Sequence, residues 1–270
     1  MRMLLLMMCA GCLEYDIHKQ PYTNPPVEGD TSDLQTEQEQ PQDTSSEVPQ
    51  TETEIDGIPI AQEVMYVHTS TILYSYNAEG ETGTIGQFYI ENDFAPNITD
   101  LAIDLNGSMY AVSVDALYRV DPTDARLEHV SDLAIPLYGL TFLADGRLLG
   151  AGDGIYWVEP ISGLMAEFVS SGNYQTSGDI VGLPDGKLYW TVIGGDGLVV
   201  VDPVTGQTDY IGDIGIENLW GVGYYDNALF GFSSAGSMCE INPANAEVVA
   251  WESTSGQYWW GAASNPVHWD

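Results

Sequence analysis

Between Gly182 and Gly206 short apolar runs alternate with tight polar punctuation, and the spacing predicts strands. Asp185-Gly186 precedes Leu188-Tyr189-Trp190-Thr191-Val192, whose β-branched and aromatic residues suit a pleated, half-buried surface. Gly194-Gly195-Asp196-Gly197 is a second turn and leads into Leu198-Val199-Val200-Val201. Asp202-Pro203-Val204-Thr205-Gly206 ends that strand, because proline donates no ladder hydrogen bond and glycine completes the turn. Asp-Gly supplies the positive φ angles of a two-residue hairpin loop. The unit therefore reads strand, turn, strand, turn, strand, without helical periodicity.

The same punctuation recurs at Asn106-Gly107-Ser108-Met109-Tyr110 with Asp121-Pro122, at Asp145-Gly146-Arg147-Leu148-Leu149 with Glu159-Pro160, and at Asp226-Asn227-Ala228-Leu229-Phe230 with Asn242-Pro243. The paired apolar positions begin at Met109, Leu148, Leu188 and Leu229, in steps of 39, 40 and 41 residues. A period of that size with four short strands per unit predicts the blades of a β-propeller. A fifth copy is split across the chain. Met65-Tyr66 to Asn77-Ala78-Glu79-Gly80 lacks a first strand, and Tyr258-Trp259-Trp260-Gly261-Ala262-Ala263-Ser264-Asn265-Pro266 supplies one. The expected fold is all-β: a five-bladed β-propeller with four antiparallel strands per blade, closed by the C-terminal strand joining the N-terminal blade. Its blades are 258–266 with 64–92, then 98–133, 137–172, 178–214 and 219–254.

Upstream the composition changes. Residues 1–11 hold Arg2 and the apolar run Met3 to Met8, too short to span a bilayer, and read as a signal peptide. Residues 12–62 are rich in Pro, Gln, Thr, Ser and Glu and predict a disordered acidic tether with a reach on the order of 40 Å. Residues 63–270 form the propeller domain. Ala10-Gly11-Cys12 resembles the end of a bacterial lipobox, with Cys9 where that pattern usually has leucine. The resemblance implies cleavage before Cys12 and a diacylglycerol on Cys12, and two acyl chains suffice for stable attachment. Cys12-Leu13-Glu14-Tyr15-Asp16 and the sequence after it look like the leader and spacer of surface lipoproteins of Gram-negative bacteria. This implies an outer-membrane lipoprotein whose propeller faces the periplasm or the cell surface. An ordinary secretory signal, with Cys12 a plain thiol, is the other reading. Cys239 is then the one cysteine of the domain and reads as a small buried hydrophobe.

Six basic against 40 acidic residues give a formal charge of −34. That balance excludes nucleic-acid backbone binding and disfavours direct adhesion to an anionic bilayer, leaving the lipid anchor as the membrane contact. Solubility is its plain consequence. A cationic partner or a divalent cation stays open, and no cofactor is predicted. The repeat lacks the WD and kelch signatures and resembles the degenerate bacterial propellers with Asp-Gly-x-Leu-Tyr and Asp-Pro-x-Thr-Gly turns. That set includes lactonases, lyases, quinoprotein dehydrogenases, scaffolds and lectins, so the resemblance implies fold rather than function. Catalysis would need a ligand cluster at a channel mouth. Of the four histidines, His18 lies in the tether, His268 at the tail and His129 in an outer strand, while His68 reads as a packed or solvated strand residue. No Ser-His-Asp set or phosphate loop is present.

One constellation remains. Aligning the five units on their turns places Thr99-Asp100, Tyr138-Gly139, Gly178-Asp179, Trp220-Gly221 and Trp260-Gly261 at equivalent starts of the innermost strands. Asp100, Tyr138, Asp179, Trp220 and Trp260 are the candidate ligand-binding residues, a rim suited to a sugar ring or a cation. The same aromatics could instead plug the channel. Trp259 should face the other side of its strand. The expected function is a non-catalytic envelope module for a protein or glycan partner. Two readings stand beside it: a metal-assisted hydrolase or lyase for a sugar or lactone, using Asp100 and Asp179, and a scaffold in outer-membrane assembly.

Overall fold

The structure, a computed structural model, describes residues 63–269 apart from 78–80, 92, 171, 173, 195 and 254–256. The signal segment, Cys12, the tether and His18 lie outside the described residues.

Among the described residues, twenty-one strands form five sheets. The first blade holds β1 (Met65–His68), β2 (Ile72–Tyr76) and β3 (Thr82–Gln87), and a two-residue strand, β4 (Tyr89–Ile90), follows. Blade two is β5 (Asp100–Ile103), β6 (Met109–Val112), β7 (Ala116–Val120) and β8 (Arg126–Asp132). Blade three is β9 (Gly139–Phe142), β10 (Leu148–Ala151), β11 (Ile155–Val158) and β12 (Met165–Val169). Blade four is β13 (Thr176–Gly182), β14 (Leu188–Val192), β15 (Gly197–Val201) and β16 (Thr208–Asp213). Blade five is β17 (Leu219–Tyr225), β18 (Ala228–Ser233), β19 (Ser237–Ile241) and β20 (Val248–Ser253). The last strand, β21 (Gly261–Ser264), pairs antiparallel with β1 from Met65↔Ser264 to His68↔Gly261, so the two ends of the domain share one blade. The innermost strands β21, β5, β9, β13 and β17 each touch the next around a closed ring. The chain is a five-bladed β-propeller.

The sequence boundaries need one correction. Residues 89–90, expected at the end of the first blade, run parallel to β8 at Tyr89↔Arg126 and Ile90↔Leu127. The crossing segment thereby covers the free outer edge of blade two, an edge that would otherwise invite pairing with another chain. Tyr89 fixes it there, its hydroxyl donating to Asp124 Oδ2 at 2.7 Å.

The Asp-Gly turns differ from expectation as well. The Leu183 N–H donates to the Lys187 carbonyl and the Gly186 N–H to the Leu183 carbonyl, both at 3.0 Å, which makes a three-residue loop with Gly186 at φ 77°. Gly146 (φ 85°) and Gly107 (φ 84°) sit alike in blades three and two. Asp185 stays out of the left-handed region because its Oδ1 accepts the Lys187 N–H at 2.9 Å, leaving one residue at positive φ. The two-residue loop occurs in blade five, where Asp226 and Asn227 take φ 47° and 60° between the paired residues Tyr225 and Ala228. In the Asp202 turn the carboxylate caps the Val204 and Thr205 amides, both at 2.9 Å, and Gly206 takes φ 73°. Alanine stands at the matching place twice, as Ala125 (φ 66°) and Ala246 (φ 61°).

Each inter-blade gap has its own apolar cluster, and period-two alternation supplies two gaps from one strand. Met109 and Ala111 enter the cluster between blades one and two, while Tyr110 and Val112 enter that between two and three. Leu198 and Val199 separate in the same way on β15. Strands flanked on both sides read as continuous apolar runs, whereas the outer strands β3, β8, β12 and β16 are largely exposed or half-buried. Cys239 is buried against blade four and Met238 against blade one. Burial raises the Cys239 thiol to about 11, in keeping with a packed hydrophobe. Trp259 is buried against Tyr74 and Phe232, on the other side of its strand from the mouth.

Candidate functional site

The inner strands all start at one end of the channel, here the upper mouth. Thr99, Tyr138, Gly178, Trp220 and Trp260, one from each blade, line a cavity of about 330 Å³ there, together with Val114 and Ser177. Trp220 and Trp260 meet edge to face, with ring centroids 5.4 Å apart and planes at 87°, so they form two walls of a corner. Tyr138 is 42 % exposed and supplies a further aromatic wall. Two irregularities aim these residues. The β17–β18 register shifts between Leu219 and Gly221, which puts Trp220 on a bulge. The β13–β14 register shifts between Thr176 and Ile180, looping Ser177 and Gly178 into the mouth. Only glycine fits at 178, since a Cβ there would collide with the Trp220 carbonyl.

One residue further along each strand lies a second level: Asp100, Gly139, Asp179, Gly221 and Gly261. Asp100 and Asp179 are 0 % and 1 % exposed and lie beneath the mouth rather than on its wall. The Asp179 oxygens accept the Ile180 N–H at 2.6 Å and the Val222 N–H at 2.8 Å, with Ala262 a further backbone donor. The carboxyl thus joins blade four to blade five and to the closing strand. Asp100 Oδ2 accepts the Leu140 N–H at 2.5 Å, which joins blade two to blade three. The Asp100 carboxyl and the His68 ring occupy space left by Gly261, where a Cβ would land on both.

Burial pushes Asp100 well above the ordinary carboxylate range, and the charge of Asp179 and a hydrogen bond between the two add to the rise. Asp179 rises to about 7 through burial, while hydrogen bonds from Asp100, Val222, Ile180 and Ala262 oppose the shift. The pair therefore holds a proton at neutral pH. His68 is fully buried; desolvation lowers it to about 4, against a backbone hydrogen bond that raises it. Its neutral ring donates from Nδ1 to the Thr69 carbonyl at 2.9 Å and points Nε2 at Asp100 Oδ1, 3.7 Å away. With both groups neutral, that approach is not an ion pair.

The lower end holds a buried aromatic residue that the repeat pattern did not single out. After β21 a 3-10 helix, Pro266–His268, capped by Asn265 Oδ1, turns the chain back. Trp269, 5 % exposed, then packs against Tyr224 and Gly182, with Nε1 donating to Ser264 Oγ at 2.9 Å. Trp269 thus packs at the lower end, while Tyr138, Trp220 and Trp260 line a cavity at the other.

The structure brings Tyr138, Trp220 and Trp260 together at the mouth and places Asp100 and Asp179 below them. Val114 and Ser177 join the wall without having been read from sequence, Val114 from an upper hairpin turn and Ser177 from the β13 irregularity. A second upper cavity shares Ser177 and Trp220 and adds Ile193, Gly194, Asp196, Glu217 and Asn218. Among the described residues no group of three or more His, Cys, Asp or Glu side chains is placed to hold a metal ion. His129 sits on the exposed outer strand of blade two with Nε2 3.0 Å from Asp132 Oδ1.

The fold and its mouth define a β-propeller protein. No family model matches the chain and no curated protein sequence matches it significantly. Solved structures do match. A chain of the nidogen/laminin complex aligns at TM-score 0.51 and 12 % identity, over 74 % of this chain and 97 % of that one. A protein described for the de novo evolutionary emergence of a symmetrical protein aligns at 0.50 and 16 %, over 74 % and 93 %. At these identities the likeness shows the fold alone. Virginiamycin B lyase from Staphylococcus aureus aligns at 0.41 and 14 %, over 65 % and 61 %, which carries nothing about activity.

Proposed function

We propose that the chain is a cell-envelope lipoprotein, anchored to the outer membrane through Cys12, whose propeller is a non-catalytic binding module for a protein or glycan partner. The supporting observation is the contrast between two adjacent levels of the channel. The mouth offers aromatic faces in a cavity of about 330 Å³, while the carboxyls one level below are buried and committed to backbone amides. Convergent aromatic walls with few polar groups are the usual make-up of a recognition site. Partner capture from native membranes and binding to a glycan panel, each run with Trp260→Ala as the control, tests the reading. Partners lost in Trp260→Ala support it. No partner at micromolar concentrations, together with turnover of a lactone or glycan, overturns it.

A metal-assisted hydrolase or lyase is the second reading, favoured by the buried carboxyl pair, since strongly perturbed carboxyls cluster at catalytic sites. Metal content after dialysis separates the two. A stoichiometric cation that vanishes in the Asp100→Ala, Asp179→Ala double variant would favour the enzyme.

A further inference from the structure

The upper mouth is defined by what surrounds it as much as by its rings. The second upper cavity shares Ser177 and Trp220 with the aromatic one and carries Asp196 and Glu217. Among the described residues neither Asp196 nor Glu217 makes an ion pair. Partial burial raises the Asp196 carboxyl, the Asn218 backbone hydrogen bond opposes this, and the charge of Glu217 adds to the rise. A cation seated nearby would relieve that repulsion.

The basic residues lie at the other end. Lys187 and Arg147 close the lower hairpin loops after β13 and β9, Arg126 closes the lower Asp121 turn, and Arg119 reaches Ser108 in the lower loop after β5. These are all the Lys and Arg residues among the described residues. Strands of four or five residues separate the two ends by about 15 Å, roughly two Debye lengths at physiological salt. The lower bases therefore do little to offset the negative charge of Asp196 and Glu217 at the upper mouth.

The chemistry of the wall narrows the cation. Thr99 Oγ1 donates to the Val112 and Leu137 carbonyls, and Ser177 Oγ leans on the Leu219 carbonyl at 3.4 Å. Both hydroxyls are turned inward, so the cavity offers few partners for the three N–H groups of a primary ammonium or the hydroxyls of a sugar. A quaternary ammonium has no N–H to satisfy and takes its stabilisation from ring faces. Two indoles at right angles with a phenol beside them present such faces from several directions.

We propose that the upper mouth binds a small quaternary ammonium head group, seated in the corner that Trp220 and Trp260 form beside Tyr138 and drawn in by Asp196 and Glu217. This rests on the binding-module reading above and names the ligand chemistry of that site. The test is titration of the full-length protein with choline, followed by tryptophan fluorescence. Ethanolamine and dimethylbutanol, the uncharged carbon isostere of choline, run in parallel. Saturable quenching by choline in the millimolar range is expected, about tenfold weaker in Trp260→Ala and partly retained in the better-packed Trp260→Phe. Dimethylbutanol should bind about tenfold more weakly than choline, and the Asp196→Asn, Glu217→Gln pair should cost about two- to fivefold, less at high salt. Equal binding of choline and dimethylbutanol overturns the proposal, as does tighter binding of ethanolamine. If choline fails to saturate while an envelope protein or glycan still depends on Trp260, the ammonium assignment falls and the binding module stands. If Trp260→Ala changes nothing that binds, both fall.

Discussion

The two channel carboxyls look alike in sequence but should respond oppositely to the same substitution. Asp179 presents both oxygens to N–H donors, Ile180 on one side and Val222 on the other. In Asp179→Asn the amide must turn its NH2 group toward one of them, whichever way it is flipped. A buried N–H left facing a donor costs about 1–3 kcal/mol. A domain of this size loses roughly 2–4 °C of Tm per kcal/mol, so Asp179→Asn should melt about 2–12 °C below the parent at pH 7. Asp100 presents one oxygen to Leu140 N–H and the other to the lone pair of His68 Nε2. Asparagine keeps the acceptor for Leu140 and has an NH2 group that can stand in for the acid's proton toward Asp179. It therefore mimics the protonated acid.

The pH dependence sharpens the contrast. Both carboxyls are raised in the folded chain, so the folded state holds protons that the unfolded chain releases above the ordinary carboxylate range near 3.8. Stability is complete below that range and falls as pH rises through the folded pKa values, by up to about 1.4 kcal/mol per pH unit for each group. His68 works the other way. Its folded pKa near 4, against 6.5 unfolded, makes stability rise with pH across that interval. Above pH 6.5 the histidine contribution ends while the raised carboxyls, Asp179 near 7 among them, still oppose ionisation, so Tm should fall as pH rises past 6.5. Asp100→Asn should flatten that fall and stand above the parent at pH 8. Circular dichroism melts of the parent and both variants at half-unit pH steps measure it. A parent Tm flat from pH 6.5 to 8, or an Asp100→Asn loss equal to that of Asp179→Asn, would refute the shared-proton account.

Other outcomes follow from the same geometry. Trp269→Ala removes a buried indole that packs on β13, β17 and β21, and should cost about 3–5 kcal/mol in chemical denaturation, whereas Trp251→Ala on the exposed surface should cost little. Ala246→Gly relieves a left-handed alanine at φ 61° but gives up a fully buried methyl and adds backbone entropy; these terms nearly cancel, so the melt should move by less than about 1 kcal/mol. Cys12→Ser should abolish radiolabelled palmitate incorporation and release the protein from membranes, and retained label would refute the anchor.

Blade number, closure and strand order were legible because they follow from two local signals, turn chemistry and period-two burial, repeated at a constant step. The rim was legible in part for the same reason: aligning turns aligns strand starts, and of the five residues expected there Tyr138, Trp220 and Trp260 line one cavity, with Thr99 and Gly178 standing where Asp100 and Asp179 were expected. What the alignment could not separate was depth. Thr99 and Asp100 are neighbours in sequence, yet one strand step of about 3.3 Å takes the chain from the mouth to the level beneath it. The Asp of an x-Asp pair thus meets the amides of the next blades, while the aromatic of an aromatic-Gly pair stays at the opening. Trp269 escaped because its position depends on the reversal after β21, outside the repeat, and the aim of Trp220 depends on a register shift with no glycine or proline at residue 220 to announce it. The two levels also explain each other. Glycines at 139 and 221 let adjacent inner strands approach too closely for side chains, Gly261 leaves room for the Asp100 carboxyl and the His68 ring, and the two carboxyls bind the backbone amides that face them. With the inner strands joined in that way beneath the mouth, the aromatic residues are left free to form a cavity.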